Sequence, residues 1–126
     1  MDNNTPAEAG DSPAGESSEG SASAAELAQV IGRAVVAANG LLITAQSSGA
    51  TSASRLNVGT YQVCFNTPVT SGTYVASIGL PGNVTNPPSG EISVTGRNGT
   101  NNCLFLQTFN SAGALEDRSF HVIVVV

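Results

Sequence analysis

Lysine and tryptophan are both absent from this 126-residue chain, and His121 is its one histidine. All four basic residues are arginines: Arg33, Arg55, Arg97 and Arg118. Nucleic acid is held by clustered Lys and Arg that displace counterions, and no such cluster exists here, so no nucleic-acid partner is expected. A phosphate-cradling G-x-x-x-x-G-K-[ST] loop is also missing, and there is no lysine to serve one. One histidine and two well-separated cysteines cannot supply a zinc site within one chain.

Acids are scarce where chemistry would need them. Six of the nine lie within residues 1–26, which hold no base and carry −6. Residues 27–126 set Glu91, Glu116 and Asp117 against the four arginines and come to +1. A paired-carboxylate glycosidase site would require Glu91 to face the adjacent Glu116 and Asp117. Calcium would find too few oxygen ligands. No catalytic residue, no metal and no cofactor is therefore expected, nor is an enzyme.

Long apolar runs are missing as well. No stretch reaches the 18 residues of an ordinary spanning helix, so membrane insertion is not expected. The N-terminus has neither the basic nor the apolar region of a secretory signal. Either the chain acts where it is made, it leaves by a signal-free route, or it is a mature form with an added Met; an extracellular surface or an assembled particle is the favoured setting. The N-x-[ST] triplets at Asn3, Asn83 and Asn98 read as chance in a chain rich in Asn and Thr.

What is present divides into two materials. Residues 1–23 are mostly Ser, Gly, Ala, Pro, Glu and Asp, with no aromatic and no large aliphatic after Met1. Such a leader cannot bury enough apolar area to offset roughly 1–2 kcal/mol per residue of backbone entropy and is expected to be disordered. Residues 24–32 read as a short helix or linker: Ser23 and Glu26 form a capping box, and Leu27, Val30 and Ile31 recur at helical spacing. Asn39-Gly40, between "AVVAA" and "LLITA", predicts a hairpin with arms near 33–38 and 41–46. From residue 50 onward apolar residues alternate in runs of five to eight. Tyr61, Val63 and Phe65 share a face, as do Tyr74, Ala76 and Ile78, and Ile92 and Val94. Turn signals separate these runs about every ten residues, predicting an all-β antiparallel sandwich, jelly-roll-like, over residues 33–126.

Three residue types that hydrolases combine stand together near the C-terminus: Asp117, Ser119 and His121. On an extended strand they share one parity, but neighbours on one face lie about 6.5–7 Å apart, too far for a nucleophile to bond its base. No G-x-S-x-G elbow surrounds Ser119. The triplet is read as the polar start of a closing strand, with Asp117 and Arg118 fixing the preceding turn. The rest of that strand, "VIVVV", is apolar on both faces and calls for cover on both, which points to a homo-oligomer. Cys64 and Cys103 read first as buried free thiols; a disulfide, or an intermolecular or reactive role, stays open because pairing depends on strand register.

The segments A-V-V…G (34–40), G-x-Y-x-V-x-F (59–65), Y-V-A-S-x-G (74–79) and the closing D-R-x-F-H (Asp117, Arg118, Phe120 and His121 its defined positions) together resemble a small β-rich domain. That domain ends many uncharacterised bacterial proteins, and the likeness covers residues 33–126 but not the leader. It implies a structural or binding role without catalysis. The pattern leads one to expect cysteines near Thr73 and Val126; their absence leaves Cys64 and Cys103 as a replacement pair.

The expected function is a non-catalytic structural or interaction protein that self-associates, as in a surface appendage, fibre or particle shell. The alternative is a surface or secreted module for a carbohydrate or protein ligand, against which stands the shortage of aromatic platforms beyond Tyr61 and Tyr74.

Overall fold

The computed structural model describes residues 29–126. Seven strands run through it: β1 (Val30–Val36), β2 (Ala50–Asn57), β3 (Thr60–Phe65), β4 (Thr73–Ile78), β5 (Glu91–Gly96), β6 (Cys103–Phe109) and β7 (Phe120–Val125). They form a three-stranded sheet, β1-β7-β4, and a four-stranded sheet, β2-β3-β6-β5. Every ladder is antiparallel. Only β2-β3 and β5-β6 are hairpins within one sheet; the other connections cross between the sheets.

The alternation seen in the sequence sorts side chains as a pleated strand must. Tyr61, Val63 and Phe65 of β3 and Leu104 and Leu106 of β6 meet Ala34 and Val36 of β1 and Phe120, Val122 and Val124 of β7 in one core. Tyr74, Ala76, Ile92 and Val94 close over its margin. The Tyr61 and Phe120 rings meet edge to face at 5.1 Å between centroids, the arrangement their quadrupoles favour.

The expected hairpin at Asn39-Gly40 turns as predicted, with Ala37 N–H donating to the Leu41 carbonyl at 2.9 Å. Its second arm is not a strand. Only the Val36–Leu42 bridge forms, and Thr44–Gln46 then makes a 3₁₀ turn. Ser47 explains the change: its hydroxyl accepts from the Val35 N–H at 3.1 Å and donates to the Ile43 carbonyl at 2.7 Å, taking over ladder bonds that an arm would have made.

The helix or linker expected over 24–32 fares differently in its two parts. Residues 24–28, like the whole leader, lie outside the described residues; from Val30 onward the chain is β1. Tertiary pairing overrides the helical spacing, because Gln29 and Val126 exchange both backbone bonds, at 3.2 and 2.9 Å, and start the β1–β7 ladder.

The sheet edges are treated unequally. The outer edge of β1 is covered by the segment before β2, with Arg33 and Ser48 exchanging backbone bonds at 2.8 and 2.9 Å. Edges β4 and β5 lie beside each other on the opposite flank, and no ladder joins them. Among the described residues no helix is long and apolar enough to cross a membrane.

Candidate functional site

The closing triplet does not come together. Strand β7 begins at Phe120, so the alternation does not extend back through Ser119 and Asp117. Ser119 is buried, and its hydroxyl donates to the Val36 carbonyl of β1 at 2.7 Å. His121 is half-buried and reaches the other way, to the Leu80 carbonyl at 3.1 Å. A carbonyl only accepts, so Nε2 carries the proton there.

Asp117 faces neither of them. Its Oδ1 accepts from the Gly59 N–H at 2.8 Å and its Oδ2 from Arg55 Nε at 2.9 Å. Desolvation works against the charged form, but the Gly59 amide and the Arg55 guanidinium outweigh it and hold the carboxyl below the usual aspartate range. The carboxylate thereby pins the β2–β3 turn to the approach of β7. Gly59 is needed at that turn: its φ is +57°, and a Cβ would stand 2.5 Å from the Thr108 carbonyl oxygen.

Arg118 secures the neighbouring loop. It donates to Glu116 Oε2 at 2.7 Å and to the Ser89 carbonyl at 3.1 Å. Its hydrogen bond, followed by one from Asn110, lowers the Glu116 pKa. Thr108, fully buried, donates to the Glu116 carbonyl at 2.6 Å. Tyr61 donates to the Ala38 carbonyl at 2.7 Å, and burial, with the Asp117 charge second, pushes its phenol up.

The cysteines correct the first reading of the sequence: Cys64 and Cys103 are joined in a disulfide rather than held as free thiols. They are directly opposite on adjacent strands β3 and β6, with Cα atoms 4.0 Å apart. Thr73 and Val126, where the resemblance leads one to expect cysteines, are also near neighbours, since Thr73 pairs with Val125.

The valines of β7 are covered on one side only. Val122 and Val124 sit in the core, whereas Ile123 and Val125 face outward from the three-stranded sheet. In register across that sheet, Arg33, Ile123 and Val75 form one row, and Val30, Val125 and Thr73 the next. Val75 is 56% exposed, Val30 55% and Ile123 36%. Val75 was legible in the sequence as the residue opposite the buried face of β4; that its neighbours would also be apolar required the register.

A second feature went unread in the sequence. Between β4 and the β5–β6 turn lies a polar groove of about 690 Å³ whose lining includes Thr70, Tyr74, Thr95, Arg97, Asn98 and Asn101. "RNGT" looks like a plain turn, and nothing in its sequence sets Arg97 apart from Arg33 or Arg55, which also lack a nearby acid. Among the described residues no group of three or more His, Cys, Asp or Glu is placed to hold a metal. Comparison with family models, curated proteins and solved structures yields no match to this chain.

Proposed function

We propose that this domain is a non-catalytic structural and interaction module that self-associates through the outer face of the β1-β7-β4 sheet, as a unit of a surface appendage, fibre or particle shell. The row Val75–Ile123, flanked by Val30 and Val125, carries the reading. Aliphatic side chains aligned across a sheet gain about 25 cal/mol per Å² when covered, and a second copy of the face offers a matching row in a two-fold contact. Support for a non-enzymatic role comes from Asp117, Ser119 and His121, each spent on a structural bond to a different segment. The resemblance to a β-rich C-terminal domain points the same way. A disulfide persists in oxidising surroundings, which supports a location on the outside of a cell or particle.

Light scattering coupled to size-exclusion chromatography tests this on the full chain. The expected result is an oligomer at micromolar concentration that Val75→Lys with Ile123→Lys converts to a monomer of unchanged circular dichroism. A clean monomer at every concentration removes the reading. The alternative, a surface or secreted ligand-binding module, is favoured by the polar groove beside Arg97.

A further inference from the structure

The arginines of this domain are not equivalent. Arg55 is paired with Asp117 at 2.9 Å and Arg118 with Glu116 at 2.7 Å. Those bonds use two of the three acids among the described residues. The third, Glu91, starts β5 while Arg97 follows its end, about 20 Å away by the rise of the strand. Arg97 thus has no carboxylate partner among the described residues, and its Nη1 is buried without any acceptor. A guanidinium presents its donors in a planar fork that matches the two oxygens of a carboxylate.

The surroundings of Arg97 are built rather than loose. Its backbone N–H donates to the Cys103 carbonyl at 2.9 Å, and its carbonyl accepts from Thr100 N–H at 3.3 Å, closing the turn. Cys103 is itself bridged to Cys64, and the Thr100 hydroxyl lies 3.6 Å from its sulfur. Across the groove, Val69 N–H donates to the Asn101 carbonyl at 2.7 Å, tying in the segment that carries Thr70. Tyr74 reaches over from β4, its hydroxyl 3.5 Å from where a Cβ on Gly96 would stand. No Asp or Glu lines the groove; hydroxyl and amide side chains do.

We propose that this groove binds an acidic sugar, with Arg97 taking the carboxylate of a uronic acid and Tyr74, Thr95, Asn98 and Asn101 meeting its ring and hydroxyls. The lining decides between carboxylate sources. An acidic peptide carries several carboxylates and calls for several cations, whereas one guanidinium among hydroxyl and amide groups beside one phenol suits a polyol with a single carboxylate per ring. The site is separate from the apolar face, so it does not depend on self-association.

Titration of the full-length isotope-labelled protein with trigalacturonate, followed by amide chemical shifts, tests the proposal. Shifts are expected at residues 95–101 and at Tyr74. Arg97→Gln should weaken binding at least tenfold, and Tyr74→Phe a few-fold. The Arg97 side chain makes none of the bonds that close its turn, so Arg97→Gln should keep the melting temperature and remain informative. Two controls carry the alternatives: neutral trigalactose, and a peptide of residues 1–28, which holds the other six acids of the chain. The proposal is overturned if trigalacturonate does not bind, whether or not the peptide does, if trigalactose binds equally well, or if Arg97→Gln leaves the affinity unchanged.

Discussion

Breaking the Cys64–Cys103 bridge is the perturbation whose size follows most directly from the structure. The cysteines are 39 residues apart in the chain, and β4 and β5 lie in the loop they close. For that separation the chain-entropy relation gives about 3.9 kcal/mol of stabilisation at 25 °C, acting through the unfolded state. A domain of this size typically has about 5–15 kcal/mol in all, so the bridge supplies a large share. At about 4–8 °C per kcal/mol, its removal should lower the melting temperature by roughly 15–30 °C. Far-UV circular dichroism of the oxidised protein, the reduced protein and Cys64→Ala/Cys103→Ala would measure it. The double variant should melt with the reduced protein and ignore reductant, and its urea m-value should rise because a longer unfolded chain exposes more surface. A fall of less than about 5 °C on verified reduction would refute the entropic reasoning.

Three further outcomes are expected. Asp117→Ala leaves the Gly59 amide and Arg55 without their acceptor and should cost about 1–2 kcal/mol, discounted for the partial exposure of the pair; Asp117→Asn, which can still accept from Gly59, should cost less by chemical denaturation. Because the folded Asp117 carboxyl titrates below its unfolded value, the wild type should hold this contribution above about pH 4 and lose it as pH falls further. Acid titration of the melting point should therefore be shallower in Asp117→Asn, and identical slopes would count against the pairing. Gly59→Ala meets both a left-handed φ and the Thr108 carbonyl, and should cost about 2 kcal/mol or more in the same denaturation assay.

The strands were legible wherever one face is buried, because the period of two shows directly in Tyr61-Val63-Phe65 and in Ile92-Val94. Properties that belong to two strands at once were not. Whether Cys64 meets Cys103 depends on the β3–β6 register, and no single segment records it. Ser47 displaced a predicted strand because one hydroxyl can stand in for main-chain groups, an event that composition does not announce. Ser119 departed from the parity of His121 because β7 begins only at Phe120, three residues after Asp117 opens the polar run. Arg97 was hidden for a related reason: its isolation is visible only once Asp117 and Glu116 are seen to be taken.

The exchange of backbone bonds between Gln29 and Val126 bears on how the domain responds to force. The two strands they begin and end run in opposite directions, with Val30 beside Val125. Tension applied between these two residues would open the β1–β7 seam like a zipper, one rung at a time, instead of shearing all its rungs together. Such a joint yields at low load. A fibre or shell built from this domain would therefore carry stress sideways, from sheet face to sheet face, with whatever is attached at residue 29 leaving from the same corner as Val126.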